Sequence, residues 1–281
     1  MTVTVFAAVI AAAAMHAGWN ALLKVRLDPF LAIVLVAVCS GIEALPLLVV
    51  FGWPRSEAWP WLLASLTLHL GYYVALTEAY RRADMSQIYP IARGGAPLLT
   101  AIASVTILRE PLGVLPALGI GLLAGGVVLM SLKGRRVGTA FDPVALAFAL
   151  VTALIICGYT LLDGMGARTA QDPHAYSAAL FVLGAIPPLL LAVWRRGFSG
   201  LKPALGFLLP GAAGGAMSLG AYWIAIWAMT VAPIALVAAL RESSVLFAAL
   251  IAVVFLKEPL SPIRVLAAAL ILSGLALIRL H

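Results

Sequence analysis

The 281-residue chain is 64% hydrophobic and 10% charged, with a mean hydropathy of +1.10, whereas soluble domains carry about 25% charged residues. That balance excludes a water-soluble fold and places the chain in a bilayer. The net charge of +7 needs no nucleic acid to explain it, because basic residues at the ends of membrane spans meet anionic headgroups and set orientation.

The apolar runs are continuous and do not alternate with period two, so they predict helices and exclude a β-barrel. A helix crosses the hydrocarbon core with about 20 apolar residues. Runs bounded by charges, proline or glycine predict ten spans, at 3–23, 30–51, 59–80, 86–107, 113–132, 144–163, 174–194, 204–229, 234–256 and 262–279. The first lacks a basic leading region and a cleavage site, so it reads as a span and not as a signal peptide. No connecting segment is long enough for a soluble domain. Cys39 and Cys157 fall inside different apolar runs and read as packing thiols.

The first five spans resemble the second five. "ILREPLG" (Ile107–Gly113) recurs as "FLKEPLS" (Phe255–Ser261), with Glu110 and Glu258 148 positions apart, and the same shift places Arg93 on Arg241. "LGYYVALTEAY" (Leu70–Tyr80) aligns with "LGAYWIAIWAM" (Leu219–Met229) at a shift of 149, and "GWN" (Gly18–Asn20) falls on "GYT" (Gly158–Thr160) at 140. Duplicating an odd number of spans makes the second copy enter the membrane from the opposite side. The expected architecture is therefore all-α, integral to the membrane, with ten transmembrane helices as two inverted five-helix repeats, 1–136 and 137–281. Inverted repeats are a hallmark of transporters with a site at the midplane between the repeats.

Orientation follows from the basic residues. A cytoplasmic N-terminus would put Arg55, Arg109, Arg168 and Arg279 inside. A periplasmic one would put Lys24, Arg26, Arg81, Arg82, Lys133, Arg135, Arg136, Arg195, Arg196, Lys202, Lys257 and Arg264 inside. Twelve against four predicts both termini on the periplasmic side of a bacterial-type cytoplasmic membrane.

Within the spans a few residues carry chemistry. Arg93, in "YPIARGGAP" (Tyr89–Pro97), and its counterpart Arg241 read either as a clamp for a carboxylate or phosphonate in a wet cavity or as members of structural ion pairs. Arg241 and Glu242 are sequence neighbours and diverge by about 100° on a helix, so they are not natural partners. Glu43, His16 and His69 are candidates for proton coupling, with packing or ion pairing as the plainer alternative. Glu78 and Asp163, near predicted span ends, read as interfacial. Trp19, Asn20, Tyr73, Tyr89, Tyr222 and Trp223 are candidate substrate contacts, the rings offering apolar area with a polar tip. Trp53, Trp59, Trp61 and Trp194 read as an interfacial belt. Gly94 and Gly95 allow a kink or close helix approach, and Gly121 and Gly125 form a GxxxG expected to pack a neighbouring helix tightly. Histidine spacing matches no metal motif and there is no phosphate-binding loop, so neither a metal, a cofactor nor ATP hydrolysis is expected.

The paired stretches "YPIARGGAPLLTAIASVTILREPLG" and "IALVAALRESSVLFAALIAVVFLKEPLS", with "HAGWNALLK" in the first span, resemble the EamA-like branch of the drug/metabolite transporter superfamily. The resemblance covers essentially the whole chain. It implies a non-enzymatic secondary transporter, often an exporter of amino acids or related metabolites, with exporters of aromatic amino acids a plausible neighbourhood. It also implies a central cavity lined by the first, third, fourth, sixth, eighth and ninth helices. Its partners would be a small-molecule substrate and the lipid bilayer, with no nucleic acid, and one chain could supply the whole cavity as a monomer. Transport of phosphonate or other organic anions, and a non-transporting role as a membrane assembly subunit, remain the alternatives.

Overall fold

Proline and acidic residues set several helix starts. In the computed structural model Asp28 accepts from the backbone N–H groups of Phe30 (3.1 Å) and Leu31 (3.2 Å) just ahead of Pro29, and Asp172 accepts from His174 N (2.8 Å) ahead of Pro173. Each acid satisfies donors that the first turn leaves unpaired, and each proline occupies the position where a missing N–H costs nothing. The structure describes residues 1–22, 27–82, 85–131, 143–255, 257 and 261–280, without the side chains of 73, 74, 76–91 and 131.

Among the described residues the elements are α1 (Val3–Leu22), α2 (Pro29–Phe51), α3 (Trp59–Arg82), α4 (Met85–Thr106), α5 (Val114–Ser131), α6 (Pro143–Ala170), α7 (Pro173–Gly184), α8 (Ile186–Arg196), α9 (Lys202–Leu205), α10 (Leu208–Val231), α11 (Ile234–Arg241), α12 (Ser244–Val254) and α13 (Pro262–Arg279), with two short 3₁₀ turns and no strand. Among the described residues seven stretches are long and apolar enough to cross a membrane: α1, α2, α6, α7–α8, α10, α11–α12 and α13. The chain is a multi-pass membrane protein.

Two of these stretches are interrupted. The helix breaks at Ala185, between α7 and α8, and the first turn of α8 carries Pro187 and Pro188, which cannot donate to carbonyls four residues back. Between α11 and α12 the ladder tightens: Glu242 N donates to Ala239 O (3.0 Å), Ser243 N to Leu240 O (3.1 Å) and Val245 N to Glu242 O (3.1 Å). This i to i+3 pattern in mid-span is a short 3₁₀ joint.

Helix α1 packs along α10, α3 along α6, α4 against α5, α6 and α11, and α2 against α7 and α10. The α5–α13 contact is antiparallel and very close. A Cβ on Gly119 would come within 2.8 Å of Gly274 O and 2.9 Å of Ile278 Cγ1, and one on Gly126 within 2.6 Å of Ile271 Cγ1 and 2.8 Å of Ala267 O. The glycines that let these helices approach are therefore Gly119, Gly126 and Gly274. Gly121 and Gly125 have nothing within 4 Å of an added Cβ, so the expected GxxxG contact is corrected. The motif is present, but 100° per residue turns it away from α13. Gly94 does act by close approach, against Val128 of α5.

One core unites Val9 of α1, Leu123 of α5, Met229 of α10, Val237 of α11 and Ile271 of α13, and a second unites Leu62, Tyr176 and Ile226. Outward faces carry Val49, Leu209 and Trp194 almost fully exposed, as lipid-facing positions require, since lipid tails are as apolar as leucine. Trp53 stacks on Trp59 with centroids 5.7 Å apart. The buried thiols Cys39 and Cys157 sit on separate helices, α2 and α6.

Candidate functional site

Helix α4 delivers Arg93 to the 3₁₀ joint between α11 and α12. There Arg93 Nε lies 3.1 Å from Glu242 Oε2, with side chains 11% and 7% exposed. Arg93 thus pairs with the residue after its sequence counterpart. Arg241, one position earlier and turned aside, lays its guanidinium over the Tyr222 ring, 4.6 Å from the centroid. Both arginines line one narrow cavity with Ala96, Pro97 and Thr100 of α4, Ile156, Tyr159 and Thr160 of α6, and Ala238 and Glu242.

Helix α1 closes one side. His16 Nε2 lies 3.4 Å from Arg93 Nη2, and Trp19 Nε1 lies 3.3 Å from His16 Nδ1. Guanidinium and indole only donate, and a neutral imidazole has a single acceptor nitrogen. His16 therefore serves one of them at a time. Asn20 donates through one Nδ2–H to His16 O (2.7 Å), within its own helix.

On the far side of Tyr222 lies Asp163, with no exposed surface. It accepts from Tyr222 Oη (2.5 Å, α10) and from Tyr176 Oη (3.0 Å, α7). The interfacial assignment of Asp163 is corrected here. Helix α6 runs on to Ala170, two turns beyond the predicted span end, so Asp163 is interior and not terminal. His69 stacks on Tyr159 (centroids 4.2 Å apart), presents an edge to Tyr222 and contacts Ser65 Oγ at 3.3 Å.

The remaining candidates scatter. Trp223 donates to His174 Nδ1 (2.7 Å) within a cluster that includes Phe51, separate from the cavity lining. Glu43 sits at the α2–α10 contact, where a Cβ on Gly215 would come within 3.0 Å of its Oε2. The side chains of Tyr73, Tyr89 and Glu78 lie outside the described residues. Glu242 and Asp163 were not among the expected substrate contacts. Their signal was a charge inside an apolar run, read for Asp163 as a span end and for Glu242 as a neighbour of Arg241.

A second polar cluster ties the ends of several helices. Glu110, in the turn after α4, pairs with Arg168 Nη2 of α6 at 2.6 Å, accepts a short hydrogen bond from Ser104, and accepts from Ile234 N at 3.0 Å. Pro233 heads α11 without a side-chain cap, and Glu110 supplies one from another part of the chain. Arg168 in turn donates to the carbonyls of Met229 (2.8 Å) and Ala232 (3.1 Å) at the end of α10.

Comparison with known proteins decides the class. The model of the EamA-like transporter family matches residues 2–132 and 143–280. The chain belongs to this family. EamA-like proteins form part of the drug/metabolite transporter superfamily, and the present member is a membrane transporter. A curated relative, the "Uncharacterized transporter YwfM" of Bacillus subtilis (strain 168), is 27% identical over 227 residues, which is 80% of this chain and 74% of the relative. A protein of known crystal structure shares the fold, with a TM-score of 0.77 at 20% identity, over 99% of this chain and 96% of the other.

Proposed function

We propose that this EamA-like protein is a secondary transporter that exports small metabolites, foremost amino acids with aromatic or hydrophobic side chains, by alternating access around the cavity between α4, α6 and α11. The observation that carries this reading is that Arg93 and Arg241 line the same buried cavity, where planar guanidinium donors suit a carboxylate. Tyr159 and Tyr222 beside them offer aromatic surface for an apolar body.

The architecture we infer is ten spans in two inverted repeats, 1–136 and 137–281, counting α7–α8 and α11–α12 as one span each and α9 as none. Two separate family matches support it. So do the contacts: α1 packs along α10 as α3 packs along α6, the relation expected when the first and third spans of one copy meet the third and first of the other. Duplicated halves moving against each other around a fixed site is the usual working of such folds. One chain supplies both arginines, so a monomer suffices.

Residence in a bacterial-type cytoplasmic membrane with both termini periplasmic follows from the basic loops, and reporter fusions at each terminus test it. The transport reading is tested in proteoliposomes with radiolabelled amino acids, phosphonates and drugs, with and without a pH gradient. Saturable amino-acid flux that Arg93→Leu abolishes in folded protein supports the proposal, and flux unchanged in that variant removes the clamp. Two guanidiniums against one carboxylate in the cavity lining favour a second reading, transport of a phosphonate or other organic anion.

A further inference from the structure

The knot around Glu110 sits on the same three helices that line the arginine cavity. The lining takes Thr100 from α4, Thr160 from α6 and Ala238 from α11. One turn beyond Thr100 lies Ser104, one turn before Ala238 lies Ile234, and two turns beyond Thr160 lies Arg168. All three meet on the Glu110 carboxylate: Ser104 by a short hydrogen bond, Arg168 at 2.6 Å and Ile234 N at 3.0 Å. One end of the cavity is thus tied off within about 12 Å of its lining, at 1.5 Å per residue.

The closure has an apolar part and an ionic part. Ile234 is fully buried and packs on α6, where a Cβ on Gly164 would come within 2.5 Å of its Cδ1. The Glu110–Arg168 pair is wetter, with side chains 13% and 30% exposed. Ion pairs that water reaches are worth little and part at small cost, as a contact that opens in every cycle requires. The pair also joins the two inferred halves, with Glu110 in the first and Arg168 and Ile234 in the second. Halves that rock around a fixed site have to part contacts of this kind at one end.

The turn that presents Glu110 is itself strained. Arg109 has a φ of +58°, and Lys257, 148 positions later, has one of +55°. Residues with side chains are uncommon in this left-handed region and gather at clamps and switch regions, held there by their surroundings. The three contacts of the adjacent Glu110 supply that hold in the first copy.

We infer that Glu110 and Arg168 form a latch that closes this end of the cavity, and that the cavity opens on that side when the pair parts. Arg168 passes the change on, because it also holds the carbonyls of Met229 (2.8 Å) and Ala232 (3.1 Å) where α10 turns into α11. The latch rests on the transport reading of the same cavity and gives that reading its gate.

The test measures which face of the membrane reaches the cavity, and needs no substrate. Full-length protein with Cys39 and Cys157 replaced by serine carries one new cysteine, Ala238→Cys in the cavity lining or, as a control, Ala179→Cys in the second core. In vesicles of known orientation a membrane-impermeant maleimide is applied to each face in turn. With the pair intact, labelling of Ala238→Cys from the Glu110 face is expected to be slow. Adding Glu110→Gln is expected to speed it about tenfold, a shift of about 1.4 kcal/mol in the balance of open and closed forms, with labelling of Ala179→Cys unchanged. Arg168→Lys, which keeps a cation opposite Glu110, is expected to fall between, and Arg168→Gln takes the place of Glu110→Gln if that variant fails to fold. Labelling from the Glu110 face that is already fast with the pair intact overturns the latch, and so does a rate that Glu110→Gln leaves unchanged. An equal gain at Ala179→Cys also overturns it, since that marks a loosened fold. A gain confined to the Glu110 face, with the cavity closed to the other face in every variant, leaves the latch standing and overturns alternating access.

Discussion

Glu110 holds Arg168 at 2.6 Å while also accepting from the backbone of Ile234, so one carboxylate joins the turn after α4 to the end of α6 and the start of α11. Arg168 completes the knot on the last carbonyls of α10. In Glu110 the recurring Glu-Pro-Leu motif has a structural role, since its carboxylate caps a helix that begins with proline and has no cap of its own. Replacing Glu110 with Gln keeps an acceptor for Ile234 and loses the ion pair, whereas Ala loses both. Charged hydrogen bonds contribute about 1.5–3 kcal/mol. Thermal unfolding of the detergent-solubilised protein, followed by tryptophan fluorescence, is therefore expected to rank wild type above Glu110→Gln and Glu110→Ala lowest.

The α5–α13 contact gives a sharper steric prediction. Gly126→Ala and Gly274→Ala each drive a methyl into backbone oxygen at 2.8 and 2.6 Å. Overpacking of this kind costs about 1–3 kcal/mol. Gly121→Ala and Gly125→Ala point into open space and are expected to leave the melting temperature unchanged. Equal destabilisation by all four would show that the contact face is misassigned.

Tyr222 serves two partners with different atoms, its ring for Arg241 and its hydroxyl for Asp163. Tyr222→Phe keeps the first and removes the second, leaving a buried carboxylate one donor short. The expected loss is about 1–3 kcal/mol. Tyr222→Leu removes both and is expected to destabilise further; chemical denaturation of the two variants side by side measures the difference.

Asp28 couples the first turn of α2 to Arg196 at the end of α8, at 2.9 Å. Burial pushes its carboxyl up, but the N–H of Leu31, the Arg196 guanidinium and the N–H of Phe30 together outweigh it and hold the group below the usual carboxylate range. A depressed value means stability that is present above the unfolded-state pKa, about 3.9, and lost as pH falls through the lower folded value. Asp28→Ala is expected to cost about 1 kcal/mol at pH 7, the usual worth of a helix cap, with the gap to wild type closing below about pH 4. Melting curves across that range test the sign.

Arg93 and Asp163 show how far the linear chain can be read. A charge in an apolar run is visible in sequence, so both residues stood out. Which partner each finds was not visible. Arg93 meets Glu242 because of how α4 and the α11–α12 joint are rotated against each other, and Asp163 meets Tyr176 and Tyr222 because α6 extends past the predicted span end. The glycines make the same point. Composition and spacing picked out Gly121 and Gly125, while the close approach falls to Gly119, Gly126 and Gly274, a matter of tens of degrees about one helix axis.

By itself the sequence determined that the chain is helical and lives in a bilayer, because low charge and continuous apolar runs leave the backbone no other way to satisfy its hydrogen bonds in lipid. It also tied Arg93 to Arg241 through the internal likeness. Only the tertiary structure decided that these arginines share a cavity, that Glu242 pairs with Arg93 while the Tyr222 under Arg241 donates to Asp163, and which helix faces touch. The physical reason is range. Hydrophobic periodicity and helix caps act over a few residues, whereas Arg93 and Glu242 are 149 positions apart, and their contact depends on the rotation of each helix, which only packing fixes.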